Sequence, residues 1–216
     1  MVKSTAKKQV HTVIFDLDGT LSDTVILTMG ALRRIAPGYG FEVPPEEFVR
    51  KVTGYAAPEF YRRLFPDAPQ DVLDIAGPLI SQGEMDELAS VKGQILFDGC
   101  REMLSRLKDL GVNMYLASTG SRNHVYTIIS ESGIEDYFAS IACGLKDKTE
   151  TLREMIGGRA PGGFVMVGDM IKDQRAAHDN GITSIGACYG YCDRETAAFD
   201  FYIDHPLELF DLLSFQ

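Results

Sequence analysis

Residues 10–23 read VHTVIFDLDGTLSD, an apolar run that stops abruptly at two carboxylates, Asp16 and Asp18, and a glycine, Gly19. The run at residues 10–15 has the β-branched, nearly continuous hydrophobicity of a parallel strand covered on both faces. Such strands place chemistry at their carboxyl ends. Asp16 and Asp18 stand at that end, one residue apart, and Gly19 lets the chain turn sharply beside whatever they bind. Two carboxylates this close repel unless they share a cation or a proton, so the spacing implies either a divalent metal or a split pair of pKa values. Among metals, a hard oxygen-ligand ion such as Mg2+ fits best. A metal-neutralised aspartate can attack phosphorus and form an aspartyl-phosphate, while the second acid manages the proton on the leaving oxygen. An isolated DxDG also describes an ordinary acidic turn. The full FDLDGTLSD string is much more specific.

From residue 24 to about 92 the pattern changes: apolar residues recur at helical spacing and the β-branched runs disappear. This predicts an all-helical insertion with helices over residues 23–35, 45–52 and 58–64. A longer helix over about 70–91 is expected to be interrupted at Gly77 and Pro78, and loops are expected at 37–40 and 66–69. Beyond the insertion, helix and strand alternate as a doubly wound α/β sheet requires. Strands are predicted at 112–117, 140–143, 164–167, 183–187 and 202–203. Helices are predicted at 100–110, 122–132, 149–156, 173–180 and, at the end of the chain, 206–213.

Three later strand ends carry polar residues. Ser118, Thr119 and Gly120 place hydroxyls and backbone N–H groups just ahead of a helix, an arrangement that caps helices and can also cradle a phosphate. Lys146 and Lys148 lie on a loop opening at the same sheet edge, where one lysine can neutralise a nucleophilic acid and a transferring phosphoryl group. Lys148 is preferred, because Thr149 can cap the following helix and fix the lysine at its entrance. In VMVGDMIKD, residues 165–173, Asp169 ends a strand and Asp173 follows four residues on. At that spacing both acids can face one ion at a helix start.

Taken together, these motifs resemble the haloacid-dehalogenase-like hydrolases over nearly the whole chain, most closely the subgroup of phosphoglycolate phosphatases and β-phosphoglucomutase-like enzymes. The family's opening motif is DxDGT, with the first Asp as nucleophile. Ser118 occupies the position of its second motif, with Thr119 the competing assignment. KTETL stands where the third motif often reads KPxP, so the prolines are missing. GDMIKD resembles the fourth motif, whose first Asp ligates Mg2+ and whose second supports the metal shell. The run GITSIGACYGYCDRETA also looks like the phosphoglycolate phosphatase subgroup.

The resemblance implies a Rossmann-like core of residues 1–22 and 93–216 and a helical cap of residues 23–92. It further implies Mg2+ held by Asp16, Asp169 and the main-chain carbonyl of Asp18, with Asp173 nearby. Catalysis is then expected from Asp16, Asp18, Ser118 and Lys148, on a small phosphorylated metabolite such as phosphoglycolate. Gly19, Thr119 and Gly120 are the expected substrate contacts in the core. An insertion tethered beside the site is expected to be a mobile, specificity-setting cap. Its loop at 53–58, with Gly54 and Tyr55, and its Arg62 and Arg63 are the candidates to face the leaving group. A sugar phosphomutase would share all four motifs. A receiver-like signalling domain also uses Mg2+, an Asp and a Lys on a doubly wound sheet, but would be shorter and lack the helical insertion.

Composition narrows the classes. The 216 residues suit one core with a small inserted domain. No window has the roughly 20 uncharged apolar residues of a spanning helix. With 21 basic and 31 acidic residues the net charge is -10, which disfavours a nucleic-acid surface. MVKSTAKKQV lacks an apolar h-region, so a short disordered tail is expected rather than a secretory signal. Cys100, Cys143, Cys188 and Cys192 form no CxxC pair and have no zinc-finger spacing, which reads as reduced thiols in a cytoplasmic protein. Cys143 and Cys188 sit in apolar runs and are expected in the core. A monomer or weak homodimer is expected.

Overall fold

The computed structural model describes residues 7–144 and 147–215. Lys146 and the start of the expected N-terminal tail lie outside these residues. The apolar run at residues 10–15 is not one strand: β1, Lys8–Val10, and β2, Thr12–Phe15, are separated by a bend at His11. All four residues of β2 are buried. Val13 and Phe15 pack into the larger core cluster and Ile14 into a separate one, as the two-residue strand period demands of a strand covered on both faces.

After β2 come four helices: α1, Val25–Ile35; α2, Glu46–Val52; α3, Glu59–Leu64; and α4, Gln70–Ser90. They enclose their own apolar cluster, which includes Val25, Leu32, Val49, Leu64, Leu73 and Ile80. The interruption expected at Gly77 and Pro78 does not occur, and α4 runs through both. Pro78 and Asp74 are exposed, so the carbonyl that loses its helical partner lies on the wet side of α4. Gly77 is buried, and a Cβ there would come within 2.8 Å of the Tyr61 ring. The 37–40 loop is a 3-10 turn, Ala36–Tyr39.

The chain then alternates: α5, Cys100–Asp109; β3, Asn113–Ala117; α6, Arg122–Glu131; β4, Ser140–Ala142; α7, Lys148–Ile156; β5, Phe164–Gly168; α8, Ile171–Asp179; β6, Thr183–Ala187; and β7, Phe201–Ile203. The main sheet is fully parallel in the order β4-β3-β2-β5-β6-β7. From β2 the chain steps outward through β3 and β4, then returns to the other side of β2 for β5, β6 and β7. The reversal opens a crevice at the carboxyl ends of β2 and β5, where doubly wound sheets bind ligands.

The expected terminal helix is largely replaced. A 3-10 turn, Pro206–Glu208, and a one-turn α9, Leu209–Leu212, lead into β8, Leu213–Phe215, which pairs in parallel with β1. Pairing between residues some 200 positions apart overrides the local helical pattern. All four cysteines are unpaired thiols: Cys100 is buried, Cys143 is half-buried against the margin of the larger core, and Cys188 is half-buried, so neither of the latter two lies inside the core as expected.

Candidate active site

Five polar side chains converge at the crevice. Asp16 follows β2, Ser118 follows β3, Asp169 follows β5, Lys148 opens α7 and Asp173 lies in the first turn of α8. All are buried. The Lys148 ammonium stands 2.7 Å from Asp16 Oδ2 and 2.6 Å from Asp173 Oδ1. Asp173 Oδ2 accepts the N–H of Met170 at 3.0 Å, so both its oxygens are engaged and it acts by holding Lys148 and the start of α8. Asp169 Oδ1 accepts from Thr20 Oγ1 at 3.0 Å, while Asp169 Oδ2 is buried without a hydrogen-bond partner.

The electrostatics follow from three buried carboxylates around one ammonium. Burial, against the pull of Lys148, drives the Asp16 carboxyl up to about 7. Burial and the neighbouring charge of Asp16 push Asp169 well above its ordinary value. Lys148 is itself opposed by burial, but Asp16 and Asp173 raise it and keep it charged. Oxygens of Asp16, Asp169 and Asp173 lie within 4.8 Å of one another. An orphaned carboxylate oxygen in a site with surplus negative charge is the donor set of a hard divalent cation, so the residues fit Mg2+. Gly19, at φ +78°, belongs to the same cradle: a Cβ there would fall 2.7 Å from Asp169 Oδ2 and run into the Tyr191 ring.

Asp18 faces the other way. Its Oδ1 is 2.8 Å from His124 Nε2 on α6, and its carboxylate is not part of the three-acid cluster. Burial opposes the charged form of each member, yet each partner's charge wins: the Asp18 carboxyl is lowered and the His124 imidazole is raised to about 9. The pair borders a chamber of about 250 Å³ between the four-helix unit and the sheet. Gly54 and Tyr55 line it, as do Thr119 and Gly120. Thr119 Oγ1 donates to the Gly54 carbonyl at 2.9 Å, a link from helical unit to core. That hydroxyl is therefore committed, whereas Ser118 Oγ accepts from Gly120 N–H at 3.0 Å and gives its own proton to no described residue.

The residues that match the model of the family described as haloacid dehalogenase-like hydrolase run from 13 to 187, spanning every element of the site. The chain belongs to the haloacid dehalogenase-like hydrolases. It is 25% identical to a phosphoglycolate phosphatase of Chromobacterium violaceum over 95% of this chain and 97% of that protein. Among solved structures, it superposes on a predicted phosphoglycolate phosphatase from Haemophilus somnus 129pt with a TM-score of 0.83 at 20% identity, covering 94% and 97% of the two chains. On the β-phosphoglucomutase of Clostridium difficile the TM-score is 0.74 at 20% identity, covering 93% of each. This haloacid dehalogenase-like chain is thus a phosphatase by family, on a parallel sheet with a helical cap. None of its described helices is long and apolar enough to cross a membrane.

Within the haloacid dehalogenase-like frame, several sequence expectations need revision. Asp147, not Thr149, caps α7: its side chain accepts the Thr149 N–H at 2.8 Å, and the helix begins at Lys148 itself. Arg62 is not brought to the chamber. It lies on the exposed face of α3 and bonds Gln70, while Phe60 and Tyr61 on the same helix line the chamber. Arg63 pairs with Glu59 at 2.8 Å and stacks 3.9 Å over Tyr55.

Three contributors went unnoticed in the sequence: His124, Glu84 and Tyr191. Tyr191 O–H donates to Asp23 at 2.6 Å and accepts the Val25 N–H at 2.8 Å, tying the β6–β7 loop to the entrance of α1. A polar residue on the first turn after the Ser-Thr-Gly strand end was the available signal for His124. Tyr191 stands inside the run GITSIGACYGYCDRETA quoted above, and no local pattern marks Glu84.

Proposed function

We propose that the chain is a Mg2+-dependent phosphatase of small phosphorylated metabolites that works through an aspartyl-phosphate on Asp16. The reading rests above all on the convergence of Asp16, Ser118, Lys148 and Asp169 at the strand reversal, with Asp18 on the opposite rim facing the chamber under the helical unit. An oxygen of Asp16 attacks phosphorus and the ester P–O bond breaks. The leaving alkoxide takes a proton through Asp18, supplied by the His124 imidazolium 2.8 Å away and later returned to it from water. Asp18 then accepts a proton from water as that water attacks the phosphoryl group, releasing phosphate and restoring Asp16.

Lys148, 2.7 Å from Asp16, and the Ser118 hydroxyl, which donates to no described residue, would hold the equatorial phosphoryl oxygens. Asp16, Asp169 and the Asp18 main-chain carbonyl are the residues that would hold Mg2+, which supplies charge neutralisation on the nucleophile and phosphoryl oxygens when bound. We place the cap at residues 23–92 and the core in the remainder.

Phosphoglycolate is the reference ester for assay, because relatives at about 25% identity carry that activity in their names. The test is phosphate release with Asp16→Asn. Turnover of acetyl phosphate is expected to fall by at least about 10³-fold, with an unchanged circular dichroism spectrum and no acid-stable phosphoryl label on the protein. Near-normal turnover by that variant would remove the mechanism. Product analysis with a hexose phosphate distinguishes hydrolysis from phosphoryl return to the sugar.

A further inference from the structure

The chamber beside Asp18 has a charge balance that bears on the leaving group. Three charged side chains face it among the described residues: Asp18, His124 and Glu84. Asp18 and His124 satisfy each other at 2.8 Å. Glu84, on α4, is the remaining charge. Its side chain is 93% buried by its 7% exposure, and Oε1 accepts from Thr28 Oγ1 at 2.6 Å. No described residue donates to Oε2. Burial raises this carboxyl above its ordinary value.

A largely buried carboxylate is costly to keep, and its Oε2, which is open to the chamber, accepts from no described residue. A neutral side chain of the same shape would serve the α1–α4 contact equally well, because Thr28 donates only one hydrogen bond. The remaining polar wall is hydroxyl in character, from Thr28, Ser81 and Tyr61. No arginine or lysine of the described residues lines it. Arg63 and Lys172 are stacked instead on the Tyr55 ring at 3.9 Å and 3.7 Å.

We propose that this chamber takes a leaving group that donates hydrogen bonds to Glu84, an alcohol carrying a further hydroxyl or an ammonium, and disfavours one that ends in a carboxylate. The proposal rests on the phosphatase reading above and names its substrate class. A carboxylate leaving group finds one cation on the described wall, the His124 imidazolium already paired with Asp18 at 2.8 Å, and meets a second acid in Glu84. A hydroxyl or ammonium supplies the donor that Oε2 lacks, and the volume of about 250 Å³ suits a leaving group of a few carbons.

The experiment uses the full chain with Mg2+ and compares kcat/KM for glycerol 1-phosphate, erythritol 4-phosphate, phosphoethanolamine and phosphoglycolate, with acetyl phosphate as a check on the chemistry. At least one donor-bearing ester is expected to exceed phosphoglycolate by about tenfold or more. Glu84→Gln is expected to shrink that ratio at least about fivefold. A loss confined to phosphoethanolamine identifies the ammonium, and a loss shared with the polyol esters identifies the hydroxyl. Absence of acetyl phosphate hydrolysis by the parent protein would overturn the phosphatase reading itself. Hydrolysis of acetyl phosphate with phosphoglycolate equal to or better than every donor ester overturns the chamber assignment, and so does a ratio that Glu84→Gln leaves unmoved. The parent's ester ranking decides the matter even if the variant does not fold.

Discussion

Lys148 is a buried cation whose position is set by the acids it neutralises. With its ammonium 2.7 Å from Asp16 and 2.6 Å from Asp173, removing it leaves three buried carboxylates facing one another. Breaking a buried ion pair from one side costs roughly 3–5 kcal/mol. Lys148→Ala is therefore expected to lose about that much stability in metal-free urea unfolding, and to lower phosphatase kcat by about 10²-fold or more. Lys146→Ala should do far less to either, and the reverse order would reassign the lysine.

Glu84 makes the opposite case, a charge that the fold tolerates at a cost. Its folded pKa is raised above the ordinary 4.5, so between 4.5 and the raised value the folded chain holds a proton that the unfolded chain has released. Stability contributed by that proton is present below 4.5 and lost as pH rises through the folded pKa. The melting temperature of Glu84→Gln relative to the parent should accordingly climb from pH 4.5 toward pH 8. A difference that stays flat or shrinks would mean that burial does not raise the carboxyl.

At the level of elements, the site is assembled from strand ends and the first turns of helices, and each joint has a local cause. The turn after β2 is closed by Leu21 and Ser22 N–H groups on the Leu17 carbonyl, at 2.9 Å and 3.0 Å, which aims Asp16 and Asp18 to different sides. Two adjacent strands of chain join core to cap, and they bond each other through Asp23 N–H to the Ile95 carbonyl and Phe97 N–H to the Leu21 carbonyl, at 2.7 Å and 3.0 Å. Cap and core meet again at Gly54, whose φ of +103° and crowding by Met170 Sδ leave no space for a side chain where its carbonyl receives Thr119.

Helix α4 carries the one evident local conflict, Pro78 in its interior. Proline costs about 3 kcal/mol relative to alanine in an exposed helix interior, partly offset by about 0.4–1 kcal/mol through the unfolded chain. Pro78→Ala should raise the melting temperature. If it lowers it, the proline ring is making a packing contribution that its exposure conceals.

For the molecule as a whole, metal and fold are linked. The site gathers three acids around one lysine in a chain of net charge -10, so the metal-free protein carries unrelieved repulsion at its centre. A ligand that binds the folded form alone stabilises it by about 2.7 kcal/mol at a hundred times its dissociation constant. MgCl2 should therefore raise the melting temperature, EDTA should reverse the rise, and Asp169→Asn should melt higher than the parent without metal yet respond little to it. A full Mg2+ response in Asp169→Asn would place the ion elsewhere.

What the sequence determined by itself is local in origin. The all-buried β2, the acids at its end, the hydroxyl and glycine after β3, the GDxxxD at β5 and the alternation of helix and strand are patterns of two to ten residues. Backbone periodicity and turn chemistry suffice to read them. The helical insertion was legible for the same reason. Tertiary structure decided the rest. His124 reaches Asp18 only because α6 follows β3 at the neighbouring strand end, and Glu84 reaches the chamber only because α4 packs along α1 and places position 84 over the sheet's edge. Likewise β8 exists because β1 offers an open edge, and α4 continues through Pro78 because the apolar face on either side of it is buried. In each case the energy that fixes the residue comes from partners distant in sequence, and no window along the chain contains it.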